Sequence, residues 1–416
     1  QCGLFARQLP HNFIQTAFWN RLDEMSLCSV CITRGSERDR EGYTVSYWIL
    51  SINPGSTSTK VAVYEDEQER FTETIPHTDE ELARFGCIND QFWFRRDAVL
   101  LALERHQIAP KQLSAVVGRG GMLPPVKAGG YLVGQEMVDT ILSGNLPDHA
   151  SNLGALIADA IARPLGIPAY IYDAVSSDEF KPIAKITGLP EVVRQSFCHV
   201  LNAKAVARRA AADLGGRYED FCFLVAHLGG GISISAHEYG KIVDAIPDDA
   251  GPFSPERSGS VPLSYVVKMC YSGNYTEKEM RRKLRGMGGL KAYLGTYDMR
   301  EIEAMVEGGD PVAGALFEAE AYQIGKGIGE MAPVLRGNVD AILLTGGMAY
   351  SRRLVRLIEG YVSFLAPVKV YPGENELESL ALGALRILRG EEKASVFHAC
   401  RPTETNLLGQ VPVSGA

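Results

Sequence analysis

A strand, a turn of small residues and a second strand occur once in each half of this chain. In the first half the β-type run 49–52 leads through residues 53–58 (Asn-Pro-Gly-Ser-Thr-Ser) into a second β-type run, 61–64. In the second half residues 223–228 lead through Gly229, Gly230 and Gly231 into 232–236. An internal echo in opposite halves restricts the fold to two related domains facing one another across a cleft. Residues 113–117, 169–171, 221–225 and 341–344 read as strands, and 97–106, 152–162, 192–214 and 379–389 as helices. That alternation makes the expected class α/β, with mixed sheet plus helices in each domain.

The expected boundaries follow. Residues 45–176 with the closing segment 379–397 form the N-terminal domain, and 177–378 the C-terminal one. Residues 1–44 carry no steady periodicity and read as a disordered or non-native leader; an amphipathic helix through Phe13, Ile14, Phe18 and Trp19 is the competing view. Residues 398–416 read as a loose tail. With 416 residues, 46% of them hydrophobic, the chain has enough apolar surface for sizeable cores. A net charge of -8 offers no field for nucleic acid or an anionic membrane. The densest basic group, Arg281, Arg282, Lys283 and Arg285, reads as the polar face of a helix. No apolar run approaches the roughly 18 residues of a membrane span, and no segment has the order of a secretory signal. Eight cysteines look like reduced core residues, so the expected compartment is the cytoplasm. Cys28 and Cys31 have ligand spacing, but no second Cys/His pair follows at zinc-ribbon distance, and no metal site is expected there.

The turns are where chemistry is expected. Residues 53–60 invite confusion with a P-loop, but the glycine-to-lysine spacing is one residue short and a β-type run follows instead of a helix. The alternative is a tight hairpin whose backbone N–H groups and hydroxyls, Ser56 and Ser58 among them, approach phosphate, with Lys60 as a nearby point charge. A purely structural hairpin remains open for this motif alone. His227 precedes Gly229, Gly230 and Gly231, and three adjacent glycines mark a close approach of another surface; a bulged hairpin with a satisfied core histidine is the bland alternative. Thr345, Gly346 and Gly347 end a third strand, and the helical run 351–359 after them suits a nucleotide site at a strand-to-helix turn.

Two phosphate hairpins followed by a Thr-Gly-Gly turn resemble the superfamily of acetate and sugar kinases, heat-shock ATPases and actin, with its ribonuclease H-like, actin-type ATPase fold. Within it, residues 52–60, 118–121, 172–175, 255–259 and 374–378 resemble the acetokinase family, and the likeness runs from about residue 49 to about 389. Acetate kinases carry a histidine where this chain has Gly118 and a nucleotide-side asparagine where it has Ser351. Both departures favour the butyrate-type branch.

The resemblance implies in-line, reversible transfer of the γ-phosphoryl group of ATP, with Mg²⁺, to a short-chain carboxylate. Butyrate is expected first, with acetate, propionate and isobutyrate as alternatives, in a homo-oligomer of two or more chains. A carboxylic acid with a pKa around 4 to 5 is already a nucleophilic anion at pH 7. It needs charge neutralisation rather than a general base. Arg119 resembles the family's carboxylate-binding arginine, and Arg257 the arginine that stabilises the transferring phosphoryl group. His199 matches a histidine contacting that group; on the residues alone it reads as a capped core histidine. Asp173 matches an essential carboxylate, expected to orient an arginine or a magnesium-bound water. Asn53 and Glu378 match metal-side residues, Glu378 just ahead of the closing helix. Asp298 and Arg300 match a nucleotide-side segment, with Met299 where an aromatic residue is frequent. His149 resembles a further site histidine, with a solvated loop as its alternative. A non-catalytic or regulatory nucleotide-binding member of the superfamily is the alternative of another class. No basic helix pair precedes residue 49 to support a DNA-binding version.

Overall fold

The structure, a computed structural model, describes residues 46–399. The expected hairpin is β1 (Trp48–Pro54) paired antiparallel with β2 (Ser58–Glu65), Asn53 opposite Lys60 across the turn. Their β-branched residues Ile49, Ile52, Val61 and Val63 are fully buried, as strands enclosed on both faces require. β3 (Gln68–Pro76) forms one edge of the sheet. Helix α1 (Phe92–Arg105) follows, then β4 (Ala115–Arg119), β5 (Gly130–Leu132), helix α2 (Leu153–Ala162) and β6 (Ala169–Tyr172). With β12 (Ser395–Val396) they complete a seven-stranded sheet in the order β12-β5-β6-β4-β1-β2-β3.

Helix α3 (Val200–Asp213) leads into a second sheet of five strands. These are β7 (Cys222–Leu228), β8 (Ile232–Glu238), β9 (Lys241–Ile246), β10 (Ala341–Gly346) and β11 (Val368–Pro372), in the order β11-β10-β7-β8-β9. The sequence echo has a structural counterpart. β1 pairs antiparallel with β2 and parallel with β4; β7 pairs antiparallel with β8 and parallel with β10. Helices α4 (Pro311–Met331) and α5 (Arg352–Val362) cover one face of the second sheet through Phe317, Ile324, Ile328, Leu354 and Ile358. The alanines 203, 207, 210 and 211 of α3 cover the other, against Phe223, Val225 and Leu343. Helix α6 (Glu376–Leu388) returns to the first sheet, with Leu380, Ala381 and Ala384 against Ile49, Val117 and Tyr172. Each fully buried leucine or isoleucine contributes about 1.5–3 kcal/mol.

Three helix starts differ from expectation. The helix expected from residue 192 begins at Val200, because residues 187–199 are held by tertiary contacts that outweigh helical propensity. Arg194 donates to the carbonyls of Ala184 (2.6 Å) and Ala245 (2.7 Å), and the Thr187 hydroxyl to those of Leu189 and Val192. Helix α1 starts earlier than residue 97, at Phe92. Helix α6 starts at Glu376, so Glu378 lies in its first turn rather than ahead of it, where an acidic residue suits the helix dipole. The leader, Cys28, Cys31 and the tail beyond Ala399 lie outside the described residues. Among the described residues no helix is long and apolar enough to cross a membrane.

Candidate active site

The first-sheet turn closes with Gly55 N donating to the Ser58 carbonyl at 2.8 Å. Thr59 Oγ1 lies 2.8 Å from His77 Nε2 behind it. Parallel pairing of β1 with β4 brings Arg119, the last residue of β4, alongside Asn53. Arg119 Nη1 is 3.1 Å from Glu376 Oε1 and 3.5 Å from Asn53 Oδ1, and the Asn53 amide donates to Glu376 as well. A Cβ on Gly118 would meet the Gly154 carbonyl oxygen at 2.2 Å, so β4 lies directly on the backbone of α2 and no side chain fits there.

The second-sheet turn is crowded in a matching way. A Cβ on Gly231 would meet Arg257 Nη1 at 1.9 Å, so the guanidinium lies against the backbone of the three-glycine turn. Arg257 pairs with Asp248, which also takes Arg285 at 3.3 Å. Burial, with Arg285 nearby, holds the Arg257 pKa down to about 10, so it stays cationic at neutral pH. His227 Nδ1 is 2.9 Å from the Asn202 amide nitrogen, and its Nε2 is 3.1 Å from Glu374 Oε1. The amide donates to Nδ1, which leaves the ring proton on Nε2, facing the carboxylate. Asn202 also donates to Thr345 Oγ1 (3.1 Å), which donates to the Gly373 carbonyl (3.2 Å) and ties the third turn to the second.

His199 stacks on His227, ring centroids 3.8 Å apart at 11°. The Ser233 oxygen accepts from the His199 backbone N–H (3.3 Å) and lies 2.8 Å from Nδ1. The Ser233 hydroxyl has a proton to give to Nδ1, and in that arrangement the ring proton sits on Nε2. Burial, then His227, Arg257, Arg119 and Arg285, push the His199 pKa well below its usual value. It is therefore neutral at pH 7.

Both sheets converge on Glu374. The His227 hydrogen bond holds its carboxyl below the usual range against the effect of burial, and Lys60 and Arg119 of the first sheet add to the depression. Lys60, Glu374, Glu376 and Glu378 line one depression. Glu378 also borders a second cavity with Asn202, Arg208, Arg209 and Arg386. His149 is an exposed residue whose Nδ1 lies 2.7 Å from Ser151 Oγ, its pKa lowered by desolvation of the ring, then by Arg119 and Arg285. Asp173 is apart from this cluster. It takes a left-handed φ of 42°, accepts from Gly129 N (2.8 Å) and lies 3.5 Å from Arg208 Nη1.

At the third turn Gly346 has φ +90°, and a Cβ there would meet the Leu228 carbonyl oxygen at 2.3 Å. Gly347 opens a short turn to Tyr350, and Ser351 then caps α5, accepting from Leu354 N at 3.0 Å and donating to Glu303. Glu303, Glu307, Tyr350, Ser351, Arg352 and Arg356 line a depression there. Asp298 caps the helix Met299–Glu307 and pairs with the exposed Arg300 at 2.5 Å; neither lines that depression. Met299 packs against the second-sheet core.

Sequence reasoning passed over Glu374, Glu376, Ser233, Asn202 and Arg285. Glu374 and Glu376 lie in the 374–378 segment singled out above, two and four residues ahead of Glu378. Arg285, read as part of a helix face, instead follows the helix Glu277–Leu284 in extended conformation and bridges to Arg257.

The "Probable butyrate kinase" of Clostridium botulinum (strain Alaska E43 / Type E3) is 50% identical over 355 residues, 85% of this chain and 100% of that protein. "Butyrate kinase 1" of Clostridium acetobutylicum is 46% identical over 353 residues, 84% of this chain and 99% of that protein. This chain belongs to the acetokinase family. Residues 188–368 match the profile of that family directly. Among solved structures, the acetate kinase of Porphyromonas gingivalis superposes with a TM-score of 0.66 at 18% identity, covering 82% of this chain and 100% of that one. A propionate kinase from Francisella tularensis gives 0.65 at 18% identity, covering 81% and 98%. At that identity the likeness shows the fold, the actin-like ATPase fold of the acetokinases.

Proposed function

We propose that this chain is a butyrate kinase, transferring the γ-phosphoryl group of ATP in line to the carboxylate of butyrate, reversibly, to give butyryl phosphate and ADP. The observation that carries the reading is the convergence of turns from both sheets, with Arg119 from one and Arg257 from the other, in a chain about half identical to two butyrate kinases. Both arginines are needed because an anionic nucleophile must approach a polyanion. Arg119 exchanges part of its contact with Glu376 for a two-bond contact to the substrate carboxylate. Arg257, backed by Arg285, neutralises charge on the transferring group, and His199 donates to it through Nε2. Ser56, Ser58 and Lys60 on one side, and Gly229, Gly230 and Gly231 on the other, approach the phosphates. Gly346, Gly347 and Ser351 take the adenosine end, with Asp298 and Arg300 near it. His227 holds Glu374, and Asp173 orients Arg208 against the strand end that carries Tyr172.

Mg²⁺ takes oxygen ligands, keeps several waters and uses few protein groups, and it would supply charge neutralisation between the phosphates. Asn53 Oδ1, Glu374 and Glu376 are oxygen donors of that kind, and Glu378 borders the same depression. No complete cage of three His, Cys, Asp or Glu ligands stands among the described residues, as suits an ion held partly by substrate. A homo-oligomer and a cytoplasmic location belong to the same reading. The helix Leu263–Cys270 has no buried residue and exposes Leu263 and Tyr265, a surface fit for a second copy.

The test is a hydroxylamine trap for acyl phosphate, run with ATP and Mg²⁺ over acetate, propionate, butyrate, isobutyrate and a set of sugars. Butyryl hydroxamate is expected to dominate, with overlap among neighbouring acids because one methylene is worth only about 1–3 kcal/mol. Turnover of sugars with no signal from any acid would end the carboxylate reading.

A further inference from the structure

The turn after β1 rests on a buried cation that no carboxylate among the described residues neutralises. Arg95, on α1, is 0% exposed. Its Nη1 donates to the carbonyls of Gly55 (2.8 Å) and Ser58 (3.0 Å) and to Thr59 Oγ1 (3.1 Å). Its Nη2 donates to the Ser56 carbonyl (3.2 Å) and its Nε to Gln91 Oε1 (2.9 Å). Every one of these partners among the described residues is neutral. Burial holds its pKa down to about 10, which still leaves it charged at pH 7. His77, behind the same turn, is pushed to about 4 by burial and then by Arg95, so it adds no charge. A buried charge without a counter-ion is costly. A clamp needed only for shape could be built from neutral donors.

Peptide geometry says what the clamp achieves. In a planar trans peptide the N–H of the following residue points opposite to the carbonyl. With the Gly55 and Ser56 carbonyls drawn onto Arg95, the N–H groups of Ser56 and Thr57 point away from it. Neither makes a backbone hydrogen bond among the described residues, and both residues are exposed. Successive free N–H groups over a fixed positive charge form an anion-binding concavity.

We propose that Arg95 is a positioning residue for nucleotide phosphate: it holds the 55–58 turn with its amides outward, and a phosphate oxygen supplies the missing counter-charge from the far side. This rests on the nucleotide reading of that turn given under the proposed function.

The test compares full-length wild type, Arg95→Met and Arg95→Lys. Calorimetry measures binding of ATP, ADP and adenosine without acid, and kinetics gives KM for ATP, KM for butyrate and kcat. Arg95→Met is expected to bind ATP and ADP on the order of 10-fold or more weakly while binding adenosine like wild type. KM for ATP should rise and KM for butyrate stay put. Arg95→Lys, with the charge but not the planar fork, should fall between. If Arg95→Met does not fold, Arg95→Lys decides by the same ratio of ATP to adenosine affinity. Equal weakening of ATP and adenosine, or of neither, in a folded variant overturns the proposal and leaves Arg95 a structural clamp. A wild type that binds ATP more tightly than adenosine but phosphorylates no acid sinks the kinase reading and leaves the Arg95 comparison standing. A wild type that binds the two equally sinks this inference.

Discussion

Arg119 and Arg257 each pair with a carboxylate, Glu376 and Asp248, yet their surroundings lead to different expected kinetic signatures. Arg119 is partly exposed and shared between Asn53 and Glu376, a position from which it can turn to a substrate carboxylate. Arg257 is wedged against Gly231 and tied to Asp248. Arg119→Ala is therefore expected to raise KM for butyrate as well as slow turnover, whereas Arg257→Ala should fall mainly on kcat, by on the order of 10²–10³. Arg119→Lys should not rescue, since an ammonium makes no planar two-bond contact. Steady-state kinetics on the three variants checks this, and near-wild-type constants in either alanine variant would remove that arginine from the site. At this scale the placement of a residue at the turns was legible where residue type and turn coincided, as for Gly231 against Arg257 and Lys60 opposite Asn53. It was not legible where function depends on which of several like residues a fold turns inward. Glu374, Glu376 and Glu378 share one short segment, and only the position of α6 brings Glu376 onto Asn53. Arg95 stands beside Arg96, and nothing local separates the buried one from its neighbour; Arg285 stays exposed, and only the chain's path after the helix Glu277–Leu284 brings it to Asp248.

Helices and strands were read best where their pattern is local. The two hairpins are legible because β-branched runs flank turns of small residues, and their parallel neighbours β4 and β10 because short apolar runs suit buried strands. The start of α3 was missed because Arg194, inside the expected helix, is held by the carbonyls of Ala184 and Ala245, and the Val192 carbonyl is taken by the Thr187 hydroxyl. Helix α4 carries a cost that its sequence conceals. Glu320 lies on the same face as Phe317, Ala321 and Ile324, is 0% exposed, and has no hydrogen-bond partner for either carboxyl oxygen among the described residues. Burial pushes its pKa well above the usual carboxylate value. A carboxyl whose folded pKa is raised costs nothing extra below the unfolded pKa of about 4.5, where both states hold the proton. Above it the unfolded chain ionises and the folded chain resists, so the penalty grows with pH. Glu320→Met, close in volume, is expected to stabilise by about 1–3 kcal/mol near neutral pH, with the gain shrinking toward pH 4.5. Thermal melts from pH 4.5 to 8 check it; a gain independent of pH would mean that Glu320 has found a partner.

On the scale of the whole molecule, the first sheet supplies hydrogen-bonding partners for the strand on which it opens. β1 is an interior strand, with β2 hydrogen-bonded along one edge and β4 along the other. An upstream segment therefore cannot add to β1 by strand pairing without displacing one of them. Tyr47 N bonds instead to the Asp66 side chain at 3.2 Å, and Trp48 N to Ser114 Oγ at 3.1 Å, so the entry to the strand is anchored downstream too. Edges and anchors being filled from within, a chain beginning at Val45 is expected to fold, bind nucleotide and turn over butyrate as the 416-residue chain does. Melting and sedimentation of the two lengths, with the hydroxamate assay, check this together. The competing picture, an amphipathic helix through Phe13, Ile14, Phe18 and Trp19 docked on a second copy, makes the opposite prediction in the same measurements. A melting point lowered by more than a few degrees, or loss of an oligomer on truncation, would assign those residues a structural role that the filled edges of β1 do not supply.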